Sequence, residues 1–567
     1  MRKLMITLIP ISFIFSLFFL LMSQDLLPEE SHSYDVLFIN GKVMNGTGNP
    51  WFYGDVGIKD VKIAKIALHI PRDASARVID IKGKVIAPGF IDIHTHAYDS
   101  ISDETVWRGE DEKRYFAPNF VSQGVTTLVS NQCGSSPLSI KKQMQVLASK
   151  GTGPNILLLI GHNSIRKEVM ENDYRRPATA EEIEKMKKLV KQAMEDGAAG
   201  LSTGLEYTPC IWSTKEELVA LVEEIVPYAG VFMAHERASG LTPMWYVPSL
   251  HQGAPPTMLE NVEELIEIAE QTRARVVITH IKARGANFWG ASRVIINMIE
   301  RARQRGLEIL ADCYPYNTSG SDGEVVIIPE WAIGKKEFSE NLRKVLKIEQ
   351  KLKNLERDVK HAITWRGGAE NIIVMDSPHK SYLGKSLAQL AQENGISSFE
   401  MAIRLQLEGD PERAGGARLR SFSLCEMDIE AFTSMPWTAT CSDAGITLPA
   451  DGPSVHPRFY GTFPRKIRHY ALEKKIISVE DAVRASTSLP AQILGLEKRG
   501  KLEEGYHADV VVFDPERIGD RATFFEPHQY AEGIDYVMVN GVFVVENGEL
   551  TWKKAGKVIS LSKSKEP

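Results

Sequence analysis

Two histidines stand one residue apart in the stretch "KVIAPGFIDIHTHAYDS", residues 84–100. The run that precedes them is β-like, and side chains two positions apart on a strand point to the same side. His94 and His96 can therefore direct two imidazoles towards one point at the end of a strand, as a metal site requires. A single buried histidine more often forms hydrogen bonds within the core, so this interpretation depends on partners elsewhere in the chain.

Other short apolar runs end in residue types that bind metals: Cys133, His235, His280 and Asp443. Alone, a buried cysteine is usually a small apolar residue of the core, and an aspartate often caps a helix. At corresponding positions in separate runs, imidazole, thiolate and carboxylate together predict a zinc site. Six candidate ligands exceed the three protein ligands of a typical catalytic zinc. This leaves open two metals, or one tight and one weak, with Cys133 able to bridge.

Further polar side chains end the same kind of run. His162 ends the third run and Glu206 the fourth, and both are candidates to support the ligands from behind. His162 is equally a candidate for contact with a substrate. Lys282 lies two positions after His280, and therefore on the same face of a strand.

The elements that position these residues alternate along the middle of the chain. Short apolar runs are separated by charged helical stretches such as "TAEEIEKMKKLVKQAMEDG", which is typical of βα units on a parallel sheet. Eight units predict an α/β fold with a (β/α)8, TIM-like barrel over residues 89–495, in which the carboxyl ends of the strands form one rim. An insertion at about 329–436 separates the last two runs. The eight runs are "FIDIHTHAY", "VTTLVSNQC", "NILLLIGHN", "AAGLSTGLEY", "GVFMAHER", "RVVITHIK", "LEILADCYPY" and "TATCSDAG".

The segments before and after this middle part share a different sequence pattern. Residues 31–88 and 496–560 contain short β-like runs between glycine and asparagine turns, as in "YDVLFINGKVMNGTG" and "GIDYVMVNGVFVVENGE". Because the two segments bracket the predicted barrel, we expect them to pair into one small β-sandwich domain.

Residues 1–30 differ from the rest of the chain. "MRKLMITLIPISFIFSLFFLLMSQ" has a basic start and an uncharged apolar run from Leu4 to Met22, which predicts a cleaved signal peptide or a retained membrane anchor. Either one places the remainder outside the cytoplasm, in the periplasm or the extracellular space, with membrane contact only through this segment. The net charge of −6 argues against a nucleic-acid partner. Five widely spaced cysteines exclude a disulfide framework.

Several motifs of the chain are shared with a known family. The general signature is "PGFIDIHTH" at 88–96. The more specific motifs are "SNQCG" at 130–134, "GLEYTP" at 204–209, "HERASG" at 235–240, "THIKARG" at 279–285, "ADCYPY" at 311–316, "SDAG" at 442–445 and "HPRFYGTFPR" at 456–465. Through these motifs the chain resembles the amidohydrolase superfamily and, within it, the N-acyl-D-amino-acid deacylases, or D-aminoacylases. The resemblance runs from about residue 34 to 555.

The resemblance implies zinc-dependent hydrolysis of the linear amide of a small molecule, an N-acyl-D-amino acid, which gives a carboxylate and a free D-amino acid. It implies a tight zinc held by Cys133, His235 and His280. A second, weaker position lies among His94, His96 and Asp443. Asp443 is also the candidate acid–base group, and the candidates to bind the substrate carboxylate are Lys282, Tyr314 and Arg458.

Two other functions remain open at this stage. A dipeptidase shares the scissile amide and the free carboxylate, whereas cyclic amidases of the superfamily generally use a carboxylated lysine that the fourth run lacks. An inactive scaffold is disfavoured because every expected ligand position is filled. A substrate with an acidic side chain needs one more cation in the site, and Arg237 and Arg284 are candidates. For each of them a role at the surface or in a salt bridge within the protein is equally open.

Overall fold

A computed structural model of the protein describes residues 32–320 and 325–561. The predicted signal peptide or membrane anchor, residues 1–30, lies outside the described residues. Within these two ranges, no helix combines the length and the apolar character needed to cross a membrane.

The two flanking segments form one nine-stranded sheet. β5 (Val85–Pro88) pairs with β17 (Val510–Phe513) in antiparallel register, which joins the two flanking segments, and β5 leads directly into the barrel. Phe38 and Val56 from the first segment pack with Val512 and Met538 from the second, so the sheet encloses its own core in the manner of the predicted β-sandwich. The strands are β1 (Val36–Val43), β2 (Phe52–Lys59), β3 (Lys62–Ala67), β4 (Val78–Asp80), β5 (Val85–Pro88), β17 (Val510–Phe513), β18 (Ile534–Val539), β19 (Val542–Glu546) and β20 (Glu549–Leu550).

The predicted (β/α)8 barrel is confirmed. Its neighbouring strands pair in parallel from β6 round to β16. The ring closes through a parallel bridge between Thr95 and Ala444, where the Asp443 N–H also donates to the His94 carbonyl at 3.0 Å. The strands are β6 (Phe90–Asp92), β7 (Val125–Ser130), β8 (Asn155–Leu158) continued by β9 (Ile160–Gly161), β10 (Gly200–Gly204), β11 (Val231–His235), β12 (Arg275–Ile278), β13 (Ile309–Cys313) and β16 (Thr438–Thr440).

Helices surround the barrel and pack apolar side chains against it. Thr179 and Glu182 form a capping box that starts one helix, which then packs Met186, Val190 and Met194 inward at helical spacing. The helices and helical turns around the barrel are Gly109–Phe116, Pro118–Val121, Ile140–Lys150, His162–Met170, Ala180–Glu195, Lys215–Glu223, Met258–Thr272, Ser292–Gln304, Glu426–Thr433, Arg458–Arg465, Lys466–Glu473, Val479–Ala485 and Ser488–Leu494.

The segment between β13 and β16 folds around a hydrophobic core of its own, which includes Leu342, Leu355 and Met401. It reaches the barrel rim, where the Trp365 indole N–H donates to the Thr242 carbonyl at 3.1 Å. This segment therefore forms one wall above the carboxyl ends of the strands. Its elements are the helices Glu330–Ile333, Phe338–Leu346, Glu349–Trp365, Leu387–Glu393 and Ser398–Glu408, and an antiparallel pair of strands, β14 (Ile372–Asp376) and β15 (Arg418–Ser421).

Candidate metal centre

One cysteine and three histidines converge at the carboxyl end of the barrel. His94 follows β6, Cys133 follows β7, His235 ends β11 and His280 follows β12. The Cys133 sulfur lies 3.6 Å from His94 Nε2, 3.5 Å from His235 Nδ1 and 3.5 Å from His280 Nε2. Residues separated by up to 186 positions in the sequence thus meet because their strands share one rim.

These distances fit zinc. Bond lengths of about 2.3 Å to sulfur and about 2.05 Å to nitrogen, in tetrahedral geometry, put the two ligand atoms about 3.6 Å apart. Cys133 belongs to two of the three groups of donor atoms that lie within 4.8 Å of one another, so the arrangement can hold one ion or two. The groups are His94, His96 and Cys133; Cys133, His235 and His280; and His94, His280 and Asp443.

The backbone directs three of these side chains inward. Cys133, His280 and Asp443 have φ values of 52°, 39° and 52°, in the left-handed region that non-glycine residues rarely adopt. Hydrogen bonds hold this conformation: the His280 N–H donates to Asp312 Oδ1 at 2.6 Å. Backbone strain of this kind is typical of functional sites.

Electrostatics favour the thiolate form of Cys133. Burial alone raises the pKa of this thiol, but the charge of His94 and the hydrogen bond from His235 outweigh burial and hold the pKa well below its ordinary value. The thiolate is the form that binds a metal.

Asp443 lies beside the imidazoles of His94 and His96, in surroundings that favour its ionised form. Its Oδ1 is 3.3 Å from His96 Nε2 and 3.6 Å from His94 Nε2, while Oδ2 is 3.0 Å from the Arg458 guanidinium. Burial raises the pKa of this carboxyl, and the charge of Arg458 with the hydrogen bond from His96 lowers it further than burial raises it. The carboxylate can therefore accept a proton or bind a cation.

A cavity of about 730 Å³ opens above these groups. Lys282, Tyr314 and Arg458, the predicted substrate-binding residues, all line it. The Arg458 guanidinium packs over the Tyr314 ring at 4.8 Å, and Lys282 Nζ lies 2.6 Å from His280 Nδ1. Cations and the candidate metal ligands therefore share one space.

The comparisons with known proteins agree with this geometry. A model of the amidohydrolase family matches residues 77–340 and 384–545. The chain belongs to the amidohydrolase family. It is 30% identical over 554 residues to a D-aminoacylase of Alcaligenes xylosoxydans xylosoxydans, an alignment that covers 94% of this chain and 98% of that protein.

Two solved structures resemble this amidohydrolase along nearly its whole length. One is a D-aminoacylase with a binuclear metal centre, for which one-metal activation and second-metal attenuation are described. The other is an N-acyl-D-glutamate deacylase from Bordetella bronchiseptica, complexed with zinc and a phosphonate inhibitor that mimics the tetrahedral intermediate of the reaction. Each has a TM-score of 0.69 and 28% identity, and covers 93% of this chain and 100% of its own.

Carboxylates stand behind the candidate ligands of the amidohydrolase. Glu206 Oε2 lies 3.2 Å from His235 Nε2, which gives this predicted supporting residue a defined contact. Asp99 Oδ2 lies 2.7 Å from His96 Nδ1, and Asp312 Oδ1 lies 3.8 Å from His94 Nδ1. Sequence reasoning missed Asp99 and Asp312. The available signal was an acidic residue three positions after His96 and another within the seventh run, next to the last residue of β13.

His162 does not reach the cavity. It is fully buried, with Nε2 2.8 Å from Glu217 and Nδ1 2.9 Å from the Thr203 hydroxyl, and Glu217 also pairs with Arg166. The physical reason is that His162 begins a helix, so that the next residues, Asn163 and Ser164, face the cavity instead. The structure therefore places His162 in a separate buried network and contradicts the expectation that it supports the metal ligands or contacts the substrate.

Proposed function

We propose that this amidohydrolase hydrolyses the linear amide of N-acyl-D-amino acids and releases a carboxylate and a free D-amino acid. The observation that carries the proposal is the Cys133 sulfur within 3.6 Å of three imidazole nitrogens, in a cavity that also holds Lys282 and Arg458. The similarity to a D-aminoacylase and to an N-acyl-D-glutamate deacylase supports it. The fourth run, "AAGLSTGLEY", which contains β10, has no lysine of the kind that cyclic amidases carboxylate.

The tight metal position follows from one of the three groups of donors, and the weaker one from the contacts of Asp443 Oδ1 with the His96 and His94 imidazoles at 3.3 Å and 3.6 Å. We assign a tight zinc to Cys133, His235 and His280, and a second, weaker zinc to His94, His96 and Asp443. A bound zinc ion supplies a nucleophile at neutral pH and polarises a carbonyl group. The hydrogen bond between Glu206 and His235 fixes the orientation of that imidazole and leaves Nδ1 directed at the sulfur.

Asp443 carries the proton transfers. As an ionised carboxylate at the rim it takes a proton from the attacking water and then passes it to the leaving nitrogen. Arg458 keeps Asp443 ionised and, with Lys282 and Tyr314, orients the substrate through its α-carboxylate. Holding the amide beside the ligands in this way lowers the entropic part of the barrier.

The test is a stereochemical assay on purified protein whose metal has been quantified. Paired N-acetyl-D- and N-acetyl-L-amino acids, dipeptides and a cyclic amide are compared by release of free amino acid. The proposal expects bound zinc and hydrolysis confined to the D series. Hydrolysis of dipeptides or of the cyclic amide, without hydrolysis of N-acetyl-D-amino acids, favours the alternative functions and overturns the proposal.

We also propose that the protein is exported, on the strength of the basic and apolar sequence of residues 1–30. Cell fractionation followed by sequencing of the mature N-terminus tests this. A mature chain that begins near residue 31 in the periplasm or the medium indicates cleavage, and an intact chain in the membrane fraction indicates a retained anchor. Intact protein in the cytosol contradicts export.

A further inference from the structure

The cavity beside the candidate metal centre contains more positive than negative side chains. Within the part of the chain that the structure describes, Asp443 is the one acidic residue of its lining, and Arg458 already pairs with it at 3.0 Å. A single substrate α-carboxylate leaves part of this positive charge unmatched. The cationic residues of the lining are Lys167, Lys282, Arg284, Arg366 and Arg458.

Arg284 is a buried cation of this lining that pairs with no carboxylate of the described residues. It is 8% exposed, and its Nε has no hydrogen-bond partner in the described part of the chain. Over residues 32–320 and 325–561, no carboxylate lies within ion-pair distance of its guanidinium. A buried guanidinium without a counter-charge is unfavourable, so its presence in a binding cavity points to an anionic ligand.

The Arg284 side chain is held in place before any ligand arrives. Its backbone N–H donates to the Ser239 carbonyl at 2.8 Å, and its guanidinium packs over the Trp365 ring at 4.6 Å. Trp365 is fixed in turn by its hydrogen bond to the Thr242 carbonyl. The guanidinium group offers five N–H donors in one plane. When it is fixed in this way, it can bind a carboxylate through two parallel hydrogen bonds.

Arg237, the other arginine suggested by the sequence, has a different role. Its Nε and one terminal nitrogen lie 2.8 Å and 2.9 Å from the two carboxylate oxygens of Glu264. It is not part of the cavity lining. The structure thus distinguishes two arginines that the sequence left equivalent. Arg237 is paired with a glutamate, and the Arg284 guanidinium is available to bind a ligand in the cavity.

We propose that Arg284 binds a carboxylate on the substrate side chain, so that the enzyme prefers N-acyl derivatives of acidic D-amino acids. This inference rests on the proposed function and specifies its substrate class. Lys282, Tyr314 and Arg458 are already assigned to the α-carboxylate, and Arg284 supplies the separate positive site that a second carboxylate requires.

The experiment compares kcat/KM for N-acetyl-D-glutamate with that for N-acetyl-D-glutamine, which has the same shape and no charge. N-acetyl-D-aspartate and N-acetyl-D-methionine complete the panel. We expect the wild-type protein to prefer the glutamate over the glutamine derivative by about 100-fold or more, because a site built for a charged group rejects the analogue that lacks it. Arg284→Met should reduce this ratio to below about 10-fold while zinc remains bound.

Two further variants keep the test decisive. Arg284→Lys retains the charge and loses the planar guanidinium group, so its ratio should fall between those of the wild type and Arg284→Met. Arg237→Met is the matched control, and its ratio should equal that of the wild type because Arg237 does not line the cavity. If Arg284→Met does not fold, the ratios of kcat/KM measured for the wild type and for Arg284→Lys still test the proposal.

The outcomes separate this inference from the proposed function. Equal or faster hydrolysis of the glutamine and methionine derivatives overturns the preference for acidic side chains and leaves the deacylase function intact. A wild-type preference that persists unchanged in Arg284→Met removes Arg284 from the role. Failure to hydrolyse any N-acetyl-D-amino acid overturns the proposed function itself.

Discussion

Lys466 is a buried lysine that pairs with no carboxylate of the residues that the structure describes, and it offers a quantitative test of the structure. Its side chain is fully buried at the start of the helix Lys466–Glu473, and its Nζ has no hydrogen-bond partner among those residues. Burial lowers the pKa of Lys466 to about 8, although the neighbouring thiols of Cys313 and Cys441 act in the opposite direction. Lys466→Met keeps an unbranched side chain of similar length and removes the ammonium group.

The size and sign of the effect follow from linkage. An amine whose pKa is 10.5 in the unfolded chain and about 8 in the folded protein costs the folded state about 3 kcal/mol at pH 7. As the pH rises from 8 towards 10.5, the folded lysine is neutral while the unfolded chain still binds a proton, so this cost decreases. We expect Lys466→Met to raise the free energy of unfolding by about 3 kcal/mol at pH 7, and by about 1 kcal/mol at pH 10.

The assay is urea unfolding of the zinc-loaded protein at both pH values, with the zinc concentration held constant because a bound metal shifts apparent stability. Lys351→Met, which changes an exposed lysine, is the control and should stay within about 0.5 kcal/mol of the wild type. The reasoning is refuted if Lys466→Met lowers the free energy of unfolding at pH 7, or raises it by the same amount at both pH values. Either result means that the charge of Lys466 is stabilised by its surroundings in the folded protein.

Three further predictions concern the candidate metal centre. Asp443→Asn removes the proposed acid–base group, so turnover should fall by ~10²–10⁴-fold while elemental analysis still finds about one zinc ion per chain, as the tight position at Cys133, His235 and His280 requires; retained turnover contradicts the assignment. Cys133→Ala removes the sulfur shared by two donor groups, so zinc content should fall below one ion per chain, and an active, fully loaded variant excludes Cys133 as a ligand. Glu206→Gln weakens the support of His235, so zinc affinity measured by chelator competition should fall by ~10–100-fold, whereas an unchanged affinity means that Glu206 has no supporting role.

The sequence by itself predicts the barrel and the residue types at its rim. Alternating apolar runs and amphipathic helices are local patterns, and in a parallel barrel the end of each run has a known place. This is why His94, Cys133, His235 and Asp443 could be expected near one another although up to 349 positions separate them. The spacing of His280 and Lys282 likewise anticipates that both side chains reach the same cavity.

Only the tertiary structure determines which side chains beyond the strand ends contact one another. Asp99 reaches His96, and His162 turns into a buried network with Glu217, because the course of a loop and the start of a helix decide these directions. Arg237 and Arg284 follow adjacent strands and look alike in the sequence. A glutamate on a neighbouring helix neutralises the first, and the ring of Trp365 packs against the second and leaves its charge unmatched. Contacts of this kind depend on how separate elements pack, which no local pattern records.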